Sequence, residues 1–445
     1  MAVAAVSRFD AIVVGGGCAG LSAAVRLAGG GAKVLVLEAR SRLGGRATTF
    51  QDRVTGEPVD NGQHVLLGCY RETLAFLSAI GARDRVRAQP NLSVTMIDEA
   101  GTRTELTCPP WPAPWHLLAG ACRWSALGWS DRLALLRMAA PIRAEAGAPS
   151  NETVQSWLAA HGQTERLLRF LWEPLVLAAM NQPMDAVSAA PFQRVLAEMF
   201  TGSSENSAVV LPARPLIEMY AEPAREYITR AGGDVRLSTP ATVNVQGRRI
   251  VVTAGRETFE SSATIVAVPW VKLDTTITGE TAPLASTLAA AAATKPSPIV
   301  TVNLWYDAPI FDRPFVGLPG RTAQWLFDTA AIVPGMTHLS IVSSGATALL
   351  TETNDAIVAM ADAELRASIH AARNARIVKS TVIRQPHATF SLAPGQPPRP
   401  ATATALPRLW LAGDWIETGL PATIESAVRS GHAAADRALS SGTSS

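Results

Sequence analysis

The sequence predicts an α/β fold, and three glycine-bearing segments carry that prediction. The first is a glycine-rich turn between an apolar run at residues 9–14 and a segment whose apolar residues have helical spacing. The second is a glycine pair after the next apolar run, and the third is an apolar run near the carboxy terminus that ends in Gly413-Asp414. Strand, glycine turn, helix and strand in this order are typical of parallel sheets that bind nucleotides. We therefore expect a Rossmann-type domain assembled from both ends of the chain.

The amino-terminal unit has the residue types that a dinucleotide site requires. Gly15 permits a tight turn, Gly17 lets the backbone approach a pyrophosphate, and Gly20 allows close packing of helix on strand. The start of the helix adds oriented N–H groups and the positive end of the helix dipole. Glu38 ends the second strand, 18 residues after Gly20, where a carboxylate accepts hydrogen bonds from ribose hydroxyls. The unit predicts a bound dinucleotide.

Directly after this unit come Gly44, Gly45 and Arg46. Two glycines beside an arginine provide close backbone approach and a cation, which suits further phosphate and ribityl contacts, whereas an NAD site does not need this second loop. The loop resembles the GG motif of FAD-dependent amine oxidases and carotenoid-type desaturases. That resemblance implies that the cofactor is FAD.

The carboxy-terminal segment resembles the other half of the same site. In those families the Gly-Asp carboxylate holds the ribityl chain and the following helix starts beside the flavin ring. The resemblance therefore assigns Gly413 and Asp414 to the first contact, the backbone at Thr423 and Ile424 to the second, and the backbone near Ala241 to adenine. No second glycine triplet follows a strand, so we expect an external electron donor or acceptor for the flavin.

Four further segments narrow the resemblance: Asp60–Tyr70, Leu171–Asn181, Leu211–Leu216 and Pro298–Tyr306. Together with Gly413-Asp414-Trp415, they resemble the hydroxysqualene dehydroxylase family over essentially the whole chain. The resemblance implies an amine oxidase/phytoene desaturase-like fold with a mixed α+β substrate domain. It also implies reduction of hydroxysqualene, a hydrophobic C30 isoprenoid, to squalene in hopanoid biosynthesis, with hydride from reduced flavin replacing an allylic hydroxyl.

Loss of a hydroxyl requires a proton donor, because hydroxide is a poor leaving group. Our first candidate for this catalytic role is His64, in a glycine-bounded loop, with Asp60 orienting it or binding the cofactor. A structural histidine is an equally compatible interpretation. Glu173, between Trp172 and Pro174, is a second candidate, although a helix cap or ion pair explains it as well, and an ordered water is a third.

Composition limits the other function classes. The net charge of +2 lacks the basic excess of a nucleic-acid-binding protein, so we expect no nucleic-acid partner. Charged residues make up 17%, against about 25% in ordinary domains. No stretch offers about 20 helix-compatible apolar residues, and no signal peptide is evident. The four cysteines lack zinc spacing, which predicts no metal site and favours the cytoplasm.

Residues 108–143 are rich in aromatic and basic residues. They contain Trp111, Trp115, Trp124 and Trp129, and a local excess of three positive charges. Such a composition predicts peripheral contact with the inner face of the cytoplasmic membrane. The alternative is a helical cap over the substrate cavity, with the tryptophans in a core.

We expect a discontinuous FAD-binding domain from residues 1–85, 205–270 and 400–445. The substrate-binding domain would comprise 86–204, which we expect to be helical, and 271–399, which we expect to be rich in strands. These boundaries are approximate because element ends are poorly marked in a single sequence.

Three alternative functions fit the same cofactor site. A FAD-dependent desaturase of a C30 or C40 polyene would have the same fold. An amine oxidase is disfavoured because Lys295 precedes the strand predicted at Ile299–Trp305, whereas the amine oxidases considered carry a lysine on it. A FAD-binding scaffold without turnover is disfavoured by the intact glycine motifs.

Overall fold

A computed structural model describes residues 9–145, 147–333 and 335–442. The outermost residues of the predicted FAD-binding segments, 1–8 and 443–445, lie outside the described residues. The strands are β1 (Ala11–Val14), β2 (Val34–Leu37), β3 (Thr49–Gln51), β4 (Pro58–Asp60), β5 (Leu66–Leu67), β6 (Val86–Ala88), β7 (Ser93–Ile97), β8 (Arg103–Thr107), β9 (Val209–Pro212), β10 (Asp234–Arg236), β11 (Ala241–Gln246), β12 (Arg249–Ala254), β13 (Glu257–Phe259), β14 (Ala263–Val266), β15 (Ile277–Gly279), β16 (Pro296–Tyr306), β17 (Phe315–Gly317), β18 (Trp325–Asp328), β19 (Leu339–Ser344), β20 (Ile377–Phe390) and β21 (Leu409–Leu411).

The α-helices are mostly short. They are α1 (Cys18–Gly29), α2 (Arg71–Ala79), α3 (Trp115–Arg123), α4 (Trp129–Leu136), α5 (Ala139–Arg143), α6 (Val154–Ala160), α7 (Glu165–Leu167), α8 (Glu173–Met180), α9 (Ala189–Phe200), α10 (Glu222–Arg230), α11 (Leu273–Thr276), α12 (Ala285–Ala293), α13 (Thr329–Ile332), α14 (Asn354–Ser368) and α15 (Ile424–Gly442). Within the described ranges, none of them has both the length and the apolar run needed to cross a bilayer.

A five-stranded parallel sheet confirms the predicted Rossmann-type α/β fold. Its strand order is β10-β2-β1-β14-β21, so strands from all three predicted FAD-binding segments meet in it. The central strands are buried along their whole length, as expected for a parallel sheet covered on both faces. Helices α1 and α15 pack together on one face, and an ideal Cβ at Gly431 would lie 2.3 Å from the Ala19 carbonyl oxygen. Helices from the two ends of the chain therefore form one layer on this face of the sheet.

The other face of this sheet is covered by four strands in the order β13-β12-β11-β15. Strand β15 pairs in parallel with β11. Residues 277–279, which belong to the predicted strand-rich segment 271–399, therefore join a sheet formed by residues of the segment 205–270. A three-residue strand that pairs with a partner more than 30 positions away has no local sequence signal. The position of the boundary near 270 remains a prediction.

The part of the chain predicted to bind substrate contains a seven-stranded sheet in the order β20-β16-β19-β18-β17-β7-β8. The hairpin β7-β8 belongs to residues 86–204, which we expected to be helical. Its alternating exposure along β8 is the pattern of an edge strand with one solvated face. The helices α3 to α9 pack below this sheet around a separate apolar core.

A small hairpin, β3-β4, links the two halves. Asp52 lies in the turn of this hairpin, and its side chain forms an ion pair with Lys379 of β20. The carboxylate of Glu57 accepts a hydrogen bond from Trp305 of β16 at 2.7 Å. These contacts join the hairpin to the seven-stranded sheet, a few residues before the loop that carries Gly62 and His64.

Candidate cofactor and substrate site

A cavity of about 630 Å³ lies at the carboxyl ends of the parallel strands, where α/β sheets bind ligands. It brings together nearly all of the residues predicted to hold the cofactor: Gly15, Gly17, Glu38, Gly44, Gly45, Arg46, Ala241, Gly413, Asp414, Thr423 and Ile424. His64 also lines it, whereas Gly20 does not. An ideal Cβ at Gly20 would lie 1.9 Å from the Gly15 carbonyl oxygen, so this glycine serves helix–strand packing.

The start of α1 is open toward this cavity. Gly17 is the N-cap residue and provides no side chain to bond the first-turn N–H groups. A helix start without a side-chain cap keeps these donors available for an anion. A Cβ at Gly17 would meet only ordinary contacts, the nearest at 3.8 Å from the Cα of Gly45. The space beside Gly17 therefore belongs to the cavity, and protein packing alone would tolerate a methyl group at this position.

The two glycine loops contact each other through their backbones. The Gly44 N–H donates to the Gly16 carbonyl at 2.9 Å, and a Cβ at Gly45 would lie 3.2 Å from the Cα of Gly17. Gly44 and Gly45 have φ of 103° and 60°, a region that L side chains rarely adopt. The second loop thus forms a wall beside the first.

Charged groups are placed at opposite parts of the cavity. The Glu38 carboxylate accepts hydrogen bonds from the backbone of Gly16 at 2.7 Å and of Arg40 at 2.8 Å, which fixes it at the end of β2. Arg46 forms an ion pair with the buried Asp414 and donates to the Ala388 carbonyl at 3.2 Å. The residues predicted from the two ends of the chain are therefore in direct contact.

These features fit FAD. A glycine cradle and an uncapped helix start suit the pyrophosphate, Glu38 retains acceptor capacity for ribose hydroxyls, and the cations Arg40, Arg46 and Lys272 line the same cavity. The Thr423 hydroxyl, directly before α15, accepts from the Ser426 N–H at 3.0 Å. Lys272 was not singled out from the sequence, because it lies in a single 3-10 turn, Trp270–Lys272, that no motif marks.

The ring of His64 is held by its own loop. Its Nδ1 lies 2.8 Å from the Gly62 carbonyl, which can only accept, so Nδ1 carries the proton and Nε2 is the free acceptor of the neutral ring. Burial lowers the pKa of His64, and the bond to Gly62 opposes only part of that effect. To act as an acid, His64 must therefore first receive a proton at Nε2. Its catalytic role stays a prediction.

The expected role of Asp60 is wrong. Its carboxylate accepts from the Thr49 hydroxyl at 2.5 Å and from the Leu216 N–H at 3.1 Å, and it lines neither cavity. Burial raises its pKa to about 6. Asp60 thus joins β4 to the segment before α10 and does not orient His64. Adjacency in sequence suggests a contact between Asp60 and His64, but the hydrogen bonds of the Asp60 carboxylate go to Thr49 and Leu216.

A second, strongly apolar cavity of about 340 Å³ lies between the helices and the seven-stranded sheet. Its wall includes Trp124, Met138, Leu171, Phe200, Phe315 and Phe327. Arg143 is the one charged residue among the described residues that line it, and it is exposed at the end of α5. Trp172 and Pro174 also line this cavity, whereas Glu173 between them does not. Burial raises the pKa of Glu173.

The two cavities meet. Six residues line both of them: Gln63, Val65, Ala178, Ile299, Val342 and Ser344. Gln63 and Ser344 are the polar members, and no hydrogen bond joins the Gln63 amide to any residue in the described part of the chain. A polar pair at the end of an apolar cavity can hold one hydroxyl of an otherwise apolar molecule. The sequence offered no signal for Ser344, because its place at the junction depends on its pairing with Ile299 in the seven-stranded sheet.

Known proteins resemble this chain over nearly its whole length. The sequence profile described as flavin containing amine oxidoreductase matches residues 18–439. Hydroxysqualene dehydroxylases of Sinorhizobium fredii and Rhodopseudomonas palustris are 28% and 29% identical to it. These alignments cover 96% and 97% of this chain and 98% of each relative. The 15-cis-phytoene desaturase of Synechococcus elongatus is 23% identical, over 94% of this chain and 93% of that protein.

Solved structures share the fold at lower identity. An oxidoreductase from Methanosarcina mazei superposes with a TM-score of 0.75 at 15% identity, covering 95% of this chain and 99% of that one. Cyclohexylamine oxidase from Brevibacterium oxydans gives 0.72 at 18% identity, covering 98% of this chain and 100% of that one.

Proposed function

Because the chain belongs to the flavin-containing amine oxidoreductase family and is an FAD-dependent oxidoreductase, we propose that it reduces hydroxysqualene to squalene. The observation that carries this proposal is the apolar cavity that opens onto the cofactor cavity through Gln63 and Ser344. A C30 hydrocarbon with one hydroxyl needs a long apolar wall and a polar group only where the hydroxyl lies. The relatives of similar length, named hydroxysqualene dehydroxylases, support the same substrate.

When bound in its reduced form, FAD would supply the hydride that replaces the hydroxyl. The apolar wall aligns the chain and excludes water, and the Gln63 amide and the Ser344 hydroxyl orient the leaving oxygen. His64, at the cofactor cavity, delivers a proton from Nε2 after receiving one. The proposed electron source is an external donor.

Two other reactions fit less well. An amine oxidase must bind a protonated amine, but the apolar cavity has no carboxylate among its described lining residues, and its one charged side chain, Arg143, is cationic. Lys295 is exposed and immediately precedes β16, so it does not face the cavity. A desaturase of C30 or C40 polyenes would accept the same wall but would leave Gln63 and Ser344 without a hydroxyl to bind.

Product analysis tests the proposal. We expect the purified holoenzyme, reduced and anaerobic, to convert hydroxysqualene to squalene with oxidation of about one bound flavin per product. The control is the same enzyme with oxidised flavin, which should give no squalene. Desaturation of squalene by the oxidised enzyme, without dehydroxylation by the reduced one, would contradict the proposal and favour the desaturase.

The surface of residues 108–143 also supports contact with a bilayer. Five large apolar side chains of this segment are exposed: Trp111, Trp115, Trp129, Leu133 and Leu136. Leu136 belongs both to this patch and to the cavity wall. Trp124, which we grouped with the interfacial tryptophans, is instead 1% exposed and lines the cavity, so the segment is also a cap. We place the protein at the inner face of the cytoplasmic membrane, where a C30 substrate dissolves.

Basic groups accompany the exposed rings. The Arg132 guanidinium lies 4.8 Å from the Trp129 ring centroid, and that of Arg123 lies 5.9 Å from the Trp111 ring. Tryptophan beside arginine suits the headgroup region of an anionic leaflet. The exposed patch therefore carries basic groups beside its tryptophans and shares Leu136 with the cavity wall.

Vesicle binding checks this surface. We expect the double variant Trp115→Ser, Trp129→Ser to bind vesicles of phosphatidylglycerol and phosphatidylcholine about 10-fold more weakly than wild type, because burial of the two rings is lost. The control is Val378→Ser, which removes an apolar residue 70% exposed on β20. Equal binding by the double variant and the control would argue against a membrane-contacting role of this patch.

A further inference from the structure

A line of buried polar side chains runs between the cofactor cavity and the surface, and we call it the polar seam. It comprises Thr301 and Asn303 of β16, Ser340 of β19, and His338 just before β19. All four are at most 1% exposed. Among the described residues, Thr301 Oγ1, both amide atoms of Asn303, Ser340 Oγ and His338 Nε2 have no hydrogen-bond partner.

Strand register puts these groups on one face. β16 and β19 are antiparallel, with Asn303 opposite Ser340 and Thr301 opposite Val342. Alternate residues of a strand share a face, so this face continues to Ile299, which lines both cavities together with Val342. The intervening β16 residues, including Val302, pack in the apolar core on the other face. The seam thus leads along the sheet to the point where the cavities meet.

Five neighbouring unpaired atoms in one sheet face point to water. Buried polar groups in native proteins are almost always bonded to protein or to ordered water, and a buried water needs two to four polar partners. Asn303 and Ser340, facing each other across two strands, provide both donors and acceptors. A sheet face of apolar residues would form a core here without leaving polar groups unpaired.

One end of the seam reaches the surface. His338 Nδ1 lies 2.9 Å from Glu57 Oε1, and Glu57 also accepts from the Trp305 indole and from the N–H of the exposed Thr337. Burial opposes ionisation of Glu57, but hydrogen bonds from His338, Trp305 and Thr337 outweigh it and lower its pKa to about 2. The Glu57 carboxylate thus holds His338 by Nδ1, and Nε2 is the ring atom left without a partner among the described residues, on the side of the seam.

The other end of the seam approaches the loop that carries His64. An ideal Cβ at Gly62 would lie 3.5 Å from Thr301 Oγ1 and 4.0 Å from His64 Cε1, so the hydroxyl and the ring approach the same side of this glycine. His64 Nε2 is the free acceptor of its ring. The residue that needs a proton therefore lies at the inner end of the seam.

We propose that ordered water fills the polar seam and that the seam delivers a proton from the Glu57–His338 pair to His64. The proposal rests on the proposed function, in which the carbon–oxygen bond breaks with its electron pair on oxygen and the hydroxide takes one proton to become water. The carbon receives a hydride from the reduced cofactor, which is oxidised. His64 gives up the Nε2 proton and is reprotonated through Thr301, water, the Asn303–Ser340 pair and His338, so that one proton enters from solvent for each turnover.

A high-resolution crystal structure of the wild-type holoenzyme tests the water directly. We expect ordered waters within hydrogen-bond distance of Asn303, Ser340 and His338 Nε2. A dry seam, or side chains that satisfy one another without water, would overturn the proposal whatever the enzyme catalyses.

Single-turnover kinetics test the proton transfer. We expect Ser340→Ala and Asn303→Leu to slow squalene formation by reduced enzyme about 10-fold and to change its solvent deuterium isotope effect, with FAD affinity unaltered. The matched control is Ser343→Ala on the opposite face of β19, whose hydroxyl donates to the Thr322 carbonyl at 2.7 Å. It should retain the wild-type rate and isotope effect.

The outcomes separate the two proposals. If Ser340→Ala and Asn303→Leu match Ser343→Ala in rate and isotope effect, the seam carries no proton, and the dehydroxylation itself stands. If wild type makes no squalene, the proposed function fails, and the ordered waters alone then decide whether a hydrated path reaches His64.

Discussion

Replacing Gly17 with alanine is expected to weaken FAD binding about 100-fold, or about 2.7 kcal/mol, while the apoprotein stays folded. The added methyl would meet only ordinary contacts within the protein, at 3.8 Å or more. It would, however, stand at the cavity wall beside the uncapped N–H groups of α1, where the pyrophosphate must approach the backbone. The loss of an N-cap glycine costs about 1 kcal/mol at most.

Fluorescence titration of apoprotein with FAD, paired with thermal unfolding of the apoprotein, measures both quantities for Gly17→Ala. Gly20→Ala is the contrasting control, since its methyl would lie 1.9 Å from the Gly15 carbonyl and must displace backbone. We expect that control to destabilise the apoprotein by about 1–3 kcal/mol. Unchanged FAD affinity in Gly17→Ala would mean that the cofactor does not approach this part of the loop.

The cofactor half was predictable from sequence because its signals are local. Each glycine motif combines a turn, a helix start and a strand end within a few residues, so spacing alone indicates the geometry. The ion pair of Arg46 with Asp414 joins two motifs that had been assigned separately to one cofactor. Family resemblance supplied the link that spacing does not, namely that residues 368 positions apart share a site.

The substrate half was less predictable because its groups meet only through tertiary pairing. Ser344 contributes to the junction of the cavities by its register in β19, and no neighbour in sequence marks it. The polar seam is similar, since Asn303 and Ser340 look like ordinary strand residues until their pairing places them face to face. Asp60 shows the converse error, in which closeness in sequence suggests a contact that the fold does not make. Its carboxylate accepts a hydrogen bond from the N–H of Leu216, 156 positions away, and not from the nearby His64.

The largest effect on catalysis is expected from closing the junction of the two cavities. Ala178 of α8 lines both of them, and its small side chain leaves the passage open. We expect Ala178→Phe to lower kcat/KM for hydroxysqualene at least about 100-fold, since a displacement of about 1 Å at a reacting centre already costs that much. We expect the variant still to take up FAD because the glycine loops and Arg46 are unchanged, and since Ala178 also lines the cofactor cavity, kcat/KM is compared per bound flavin.

Two controls separate blockage from general damage. Ala178→Ser changes the volume little and should retain most activity, and Ala159→Phe adds the same ring on the exposed face of α6, away from both cavities. Steady-state turnover of the three variants, with flavin content measured on the same samples, makes the comparison. If Ala178→Phe turned over hydroxysqualene like Ala159→Phe, the substrate would reach the flavin by another route, and the apolar cavity would not be its binding site. Loss confined to Ala178→Phe would instead place the reacting carbon at the junction, where Gln63 and Ser344 can hold its hydroxyl against the cofactor.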